Sequence, residues 1–421
     1  MGAEIIKERD GARPEGFSVH PDTSVSRLMF RRNLFGSLLA LAFLLSAHGA
    51  QGEEVQTSEG CVSNYDQNKD YFPDKLKVDH AEGFEVSYHK HYKRVKVAAP
   101  WKEGGESFEY VLVQCGTPAP KGFEQAQIVT VPAKTLIVLS TTYFYFVEGL
   151  GLLDRLIGIA NFKRVNSPAI LKLIARKKIA EVGRNVDLNL EYTARLNPDI
   201  VMTYGTGNPY RDSYGPLMQF GIRVGVFAEY MEPTPLGRAE WIKFMALFFN
   251  REKKAALLFD NIARQYEAVK QGTKKVATRP TVFTGKSIDG TWYMSGGNSY
   301  MAAFLKDAGA HFLWSDNTSR RSLHLDFESV LKKAADADYW LNTGLWKSLA
   351  EGRAEDARYA FFAAFKAGRI YNNNALLNSE GGNDYWERGI VNPHLVLADM
   401  IKIFHPELLP DHKLEWYRPL E

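Results

Sequence analysis

The sequence predicts an α/β protein: two Rossmann-like lobes joined by one long helix, with an extra N-terminal β-hairpin. Three observations predict it. Short apolar runs alternate with helical stretches after Lys134 and again after Arg279-Pro280, the pattern of a parallel sheet covered on both faces. Between these halves, Pro235 to about Gln271 reads as helix throughout. A local pattern also recurs. Asn189-Leu190-Glu191, a short helix and Asn197-Pro198-Asp199 precede "IVMTYG" in the first half. Asp326-Phe327-Glu328, a short helix and Asp336-Ala337-Asp338 precede "YWLNTG" in the second, a weak internal repeat that suggests two related lobes facing a cleft.

The whole chain sets the bounds. Its 421 residues suffice for a leader and two cores. Hydrophobic residues at 45% and charged ones at 24% are ordinary globular proportions. A net charge of +3 is too near balance for nucleic acid as a partner. The expected state is a monomer.

Residues 1–52 read as leader and signal peptide. Arg31 and Arg32 precede the apolar run Leu34 to Ala47, too short to span a bilayer comfortably, and small residues follow at Ala47, Gly49, Ala50 and Gly52. The start of translation is expected at Met29, and a periplasmic or other extracytoplasmic location follows. Residues 53–125 form an extension. "FEVSYHKHYKRVKV" and "SFEYVLVQC" alternate in polarity around Gly104-Gly105, as a hairpin or small sheet does. Cys61 and Cys115, the two cysteines of the chain, allow a disulfide after export or remain free thiols. A lipid anchor on Cys61 is disfavoured, because Ser58-Glu59-Gly60 lacks an apolar lead-in.

The N-terminal lobe spans 126–235, with strands in "TLIVLS", "RLIGIA", "DIVMTYG" and "RVGVFAEY". A helical connector follows at 236–272, with a break near Phe249-Asn250; from Arg251 to Gln271 it would be about 31 Å long. Trp241, Phe248 and Phe249 on it are expected in the core. The C-terminal lobe spans 273–421, with strands in "TVFTGK", "TWYMSG", "YWLNTG" and "RIYNNN".

Ligands of open α/β sheets bind outside the carboxyl ends of the strands. The loops there carry Thr141 and Tyr143, then Tyr204, then Tyr230. In the second half they carry Trp292 and Tyr293, Trp346, Tyr371, and Trp386 with Arg388. Aromatics at so many strand ends predict walls that stack on a flat or greasy ligand. Arg238 and Arg388 could pair with an anionic group. Bare metal binding is the rival reading, but the histidines favour no metal site: His89 and His91 alternate on a strand face of the extension, where both could ligate but a solvated face is the stronger reading, and His311, His324, His394 and His405 are scattered. No resident cofactor is expected.

Enzyme signatures are missing. "SGGNSY" lacks the Lys-Ser/Thr ending of a phosphate loop, and neither a G-x-S-x-G nor an H-E-x-x-H motif occurs. Glu351 and Glu355 lie at helical spacing beside Arg353 and Arg358, as a solvated face does.

At "TLIVLSTTYFYFVEGLGLLDRLIGIA", "VGRNVDLNLEYTARLNPDIVMTYGTG", the helix near 251–271, "LDFESVLKKAADADYWLNTG" and "VNPHLVLADMIKIFHPELL", the sequence resembles the bacterial periplasmic binding proteins for iron complexes, haem and cobalamin. The resemblance covers roughly residues 131–421, and the segment 62–125 has no counterpart in it. It implies a non-enzymatic receptor that hands a small-molecule metal chelate to the permease dimer of an ABC transporter. The ligand it favours is a siderophore-like iron complex, for which Arg238 and Arg388 are suited; cobalamin or haem is the alternative, so the ligand it implies itself carries iron or cobalt. An enzyme, or a structural protein using the same two-lobed fold, is the reading from a different class. The resemblance further implies that Glu191 and Glu328, one per lobe, dock into arginine pockets of the permease.

Overall fold

The computed structural model describes residues 60–99, 101 and 107–421. The leader, with Met29, Arg31 and Arg32, and the Gly104-Gly105 turn signal lie outside the described residues.

The extension and the first residues of the predicted N-terminal lobe form one four-stranded sheet, so the sheet runs past the expected boundary at 125. Phe84–His89, Tyr92–Ala98 and Ser107–Gln114 pair antiparallel in that order, and Gln127–Val131 joins parallel to the third. The first alternating run is thus a complete hairpin. It turns at Lys90, whose φ of 42° is left-handed. Cys61 and Cys115 are joined by a disulfide with Cα atoms 4.7 Å apart, which pins the start of the described chain to the end of the third strand. The Val62 amide donates to the Cys115 carbonyl. Gly116 is required beside them: its φ is +82°, and a Cβ there would lie 2.0 Å from the Val62 oxygen.

The N-terminal lobe is a parallel five-stranded sheet in the spatial order Ala180–Glu181, Leu156–Ile159, Leu136–Val138, Ile200–Tyr204, Val224–Phe227. Leu136 and Val138 face one buried cluster, while Ile137 and Leu139 face another. Covering on both faces explains why these strands read as continuous apolar runs. The order reverses direction between Leu136–Val138 and Ile200–Tyr204. The crevice beyond those two strands is the topological switch point, where such sheets bind ligands.

The C-terminal lobe repeats the plan. Its sheet runs His311–Phe312, Thr281–Thr284, Tyr339–Leu341, Ile370–Asn372, Arg418–Pro419, parallel except for the last strand. "TWYMSG" does not belong to it. Thr291–Met294 is the middle strand of a separate antiparallel sheet, between Lys286–Ile288 and Leu323–Leu325.

The helical stretch between the lobes is two helices, Pro235–Leu247 and Glu252–Gln271, broken at Asn250 with a φ of 51°. The second crosses to the C-terminal lobe and is amphipathic, burying Glu252, Ala255, Phe259, Ile262 and Tyr266 at helical spacing. Every residue of the first is buried, Arg238, Glu240 and Lys243 included. Trp241, Phe248 and Phe249 lie in the core, as expected.

The extension makes this burial tolerable. Glu240 accepts the amides of Asp79, His80 and Ala81, the last two at 2.7 Å. Lys243 donates to the Lys77 carbonyl and to Glu240. Glu232 accepts the amides of Glu82 and Gly83 and the Trp241 indole N–H. Lys93 pairs with Glu252 at 2.6 Å and donates to Asn250. Buried charges need such partners, so the extension covers the first connector helix as part of one shared core.

Candidate functional site

The loops beyond the N-terminal switch point bring polar groups together out of water. Ser140 caps a short turn over Thr141–Tyr143 by accepting the Thr142 amide, leaving Thr141 half-buried. This turn drives Tyr143 inward, where its ring stacks on Phe227 at 4.2 Å. Strand Val224–Phe227 ends in a turn carrying Glu229 and Tyr230, and the first connector helix begins just beyond, with Arg238 in its first turns. Tyr143 Oη, Glu229 Oε2 and Arg238 Nε are all buried with no hydrogen-bond partner among the described residues. Burial pushes the Glu229 carboxyl up to about 6, against the pull of Arg238. Burial also holds the Tyr143 phenol well above its ordinary value, with Glu229, Tyr204, Arg238 and Tyr230 all close enough to act on it.

Tyr204 and Tyr230 rim this group. Tyr204 donates to Asn185 at 3.4 Å, and Tyr230 donates to the Gly205 carbonyl at 2.6 Å. Asp212 shapes the loop between them by accepting the Thr206 and Gly207 amides. Trp101, from the extension, stacks over Tyr230 at 6.4 Å and lies on Gly205, where a Cβ would come within 2.3 Å of the indole.

The C-terminal lobe meets Arg238 from the other side. The guanidinium lies over the Tyr300 ring at 4.8 Å and over Trp386 at 5.6 Å. Tyr300 begins a helix capped by Ser299, and its hydroxyl is 3.4 Å from that of Tyr385. Between Arg238, Tyr300 and Tyr385 the lobes leave a cavity of about 10 Å³, about enough for one water. That cavity, as it stands, holds nothing larger than a water.

The sequence-predicted residues divide accordingly. Tyr143, Tyr204, Tyr230, Arg238 and Trp386 come together, and Thr141 stands beside them. Trp292 does not: its ring is fully buried against Phe283, Trp340 and Phe362, and its indole N–H donates to the Thr284 carbonyl. The reason is its strand, which turns Trp292 and Met294 into the lobe and leaves Tyr293 outside, against His324. Trp346 is likewise buried between Trp340 and Tyr359, its N–H held by Glu355. Tyr371 packs against Tyr339 along the sheet. Arg388 is paired with Asp384 and Glu415 within its own lobe, so its charge is already matched. Sequence reasoning missed two rings. Tyr300 was detectable as the aromatic after a Ser cap in "SGGNSY"; Trp101, in a segment without periodicity, gave no signal.

Glu191 and Glu328 occupy matching places. Each is exposed in the first turn of a helix, after Asn189 and Asp326, which accept the Tyr192 and Ser329 amides. Glu328 also lies 3.4 Å from Arg358.

Known proteins resemble this chain in both sequence and fold. An uncharacterized lipoprotein of Methanocaldococcus jannaschii is 26% identical over 303 residues, 69% of this chain and 70% of the relative. A second from the same organism is 26% identical over 353 residues, 79% and 86% of the two chains. A possible iron-binding, periplasmic solute-binding protein of Staphylococcus epidermidis superposes with a TM-score of 0.52 at 16% identity, over 65% of this chain and 98% of its own. Helicobacter pylori CeuE, in a nickel–histidine complex, gives 0.51 at 17% identity, over 75% and 90%. With a family model matched across residues 136–375, more than half its length, the chain belongs to the periplasmic binding protein family, whose members bind solutes for transport and are not enzymes.

Proposed function

We propose that this protein is the extracytoplasmic solute receptor of an ABC importer, and that its lobes close on an anionic, oxygen-rich metal chelate of the ferric siderophore kind. The observation that carries this is the set of buried, unpartnered polar atoms on Tyr143, Glu229 and Arg238 at the N-terminal switch point. Such atoms destabilise a folded protein unless something pairs with them. An unspent guanidinium N–H suits an anionic oxygen, phenols suit either role, and Tyr204, Tyr230, Trp386 and Trp101 supply flat walls. Among the described residues no three His, Cys, Asp or Glu side chains group to hold a metal ion, which favours a complexed metal over a bare one. The Staphylococcus epidermidis neighbour, described as possibly iron-binding, fits this choice. Glu191 and Glu328 then serve as permease contacts, one on each lobe. The lipoprotein names of the Methanocaldococcus jannaschii relatives agree with a place outside the cytoplasm.

The test is titration of the purified protein with ferric hydroxamate and catecholate siderophores, haem and cobalamin, read by native mass spectrometry and visible absorption. The expected result is one ferric chelate bound per chain, unchanged chemically. Arg238→Ala should weaken it by about 2 kcal/mol or more, as loss of a desolvated arginine anchor does. Binding of haem or cobalamin alone would reassign the ligand, and binding of none of them would end the proposal.

A further inference from the structure

On one flank of the cleft the lobes touch directly, through a loop whose Tyr385 and Trp386 face the Arg238 group and whose Asn378, Gly382 and Glu387 meet the opposite lobe. Residues 376–388 of the C-terminal lobe reach residues 163–167, the segment leading into helix Pro168–Ala175 of the N-terminal lobe. Glu387 is fully buried there. Its carboxylate accepts the Ser167 amide at 2.6 Å, the Asn166 amide at 2.9 Å and the Asn166 side-chain amide at 3.3 Å. Each of these donors belongs to the opposite lobe. Asn378 donates to the carbonyls of Lys163 and Val165, at 3.0 and 3.3 Å. Gly382 lies so close that a Cβ would sit 2.3 Å from the Arg164 carbonyl oxygen.

The loop is built to present these groups. Asn378 accepts the Glu380 and Gly382 amides, Asn383 donates to the Asn373 carbonyl, and the Asp384 amide donates to Leu376. On the other side Ser167 caps its helix by accepting the Ile170 amide, and donates to Glu148. The helix start therefore offers oriented amides and a favourable dipole end to Glu387.

We propose that the 376–388 loop is a latch, in which Glu387 and Asn378 hold the lobes closed before ligand arrives and so govern how fast ligand enters and leaves. This rests on the reading that ligand binds between the lobes. The chemistry suits a reversible contact. Opening returns the Glu387 carboxylate to water, so its donors are exchanged for hydration rather than lost. Burial already pushes its pKa up to about 7 despite those donors, so desolvation offsets much of what the hydrogen bonds contribute. A latch of this kind opens when a competing set of contacts, such as a ligand's, repays the separation.

The experiment measures the distance between spin labels on Lys172→Cys and Lys366→Cys, exposed positions on the two lobes, by pulsed electron resonance in the full protein. The native cysteines are paired and do not compete for label. Without any ligand, the parent should give one short distance. Glu387→Ala should add a longer one. Gly382→Ala should do the same, because the new methyl group meets the opposite lobe. Thermal melts confirm that each variant is folded. With ferric hydroxamate siderophore as probe, both variants should load faster and release faster than the parent. Unchanged distances in both variants, or a parent that is already open, would overturn the latch. Failure of the siderophore to bind would leave the label distances standing, and would count against the proposed ligand instead.

Discussion

Glu229 shows how a single buried acid can mark a site. Its carboxyl is raised from 4.5 to about 6 because burial outweighs the attraction of Arg238. The folded protein therefore holds that proton more tightly than the unfolded chain does. Stability from this group is greatest in acid and declines as pH rises from about 4.5 to about 6. Glu229→Gln removes the penalty. Chemical denaturation should find the variant more stable at neutral pH by about 2 kcal/mol, the equivalent of that pKa difference, with the gap closing in acid. A gap that is constant with pH would mean that Glu229 is not buried as a charge. Trp292 makes the contrasting case. The sequence reading counts it among the strand-end loops of the cleft wall, yet it lies inside Thr291–Met294, where one step of alternation decides which of Trp292 and Tyr293 faces inward. Trp292→Ala should lower stability by about 3–5 kcal/mol, as emptied aromatic core positions do, and should leave the affinity of the surviving folded protein unchanged. Lost affinity with an unaltered melt would return the ring to the site. Which face a strand buries was not legible here, since neither face of "TWYM" is polar throughout.

At the scale of elements, the parallel strands were legible because burial on both faces leaves a continuous apolar run. Sheet membership was not: "TVFTGK" and "TWYMSG" look alike, yet Thr281–Thr284 lies in the parallel sheet and Thr291–Met294 in a separate antiparallel one. The break at Asn250 was readable from its polar residue after a run of aromatics. The charges within Pro235–Leu247 were misleading in a different way. Arg238, Glu240 and Lys243 would suggest a solvated face in any isolated helix, and only the extension folding over them reverses that. The extension is thereby testable as a load on the connector. Lys93→Ala should leave Glu252 buried without its ion pair and destabilise the protein by about 3–5 kcal/mol. A loss below about 1 kcal/mol, the range of exposed pairs, would show that the extension sheet sits loosely on the helices.

Across the whole molecule, the plan of two lobes and a long connecting helix followed from the repeated α/β texture and the helical stretch between, with its break near Asn250. The site was only partly legible, because it is made where the lobes meet. Tyr300 and Tyr385 approach Arg238 from another domain, and no local pattern encodes that distance. Glu191 and Glu328 belong to this scale too. Exchanging both for Ala should leave solute affinity unchanged and sharply reduce uptake in cells, with Lys at either position worse than Ala, since it would face the permease arginines. Normal uptake by the double variant would leave them as ordinary first-turn acids. The central claim, that ligand is held between the lobes, is tested most directly by hydrogen exchange with and without bound ferric siderophore. Amides near Tyr143, Tyr204 and Glu229 in one lobe and near Tyr300 and Tyr385 in the other should gain protection together. Protection confined to a single lobe, or to the extension, would contradict it.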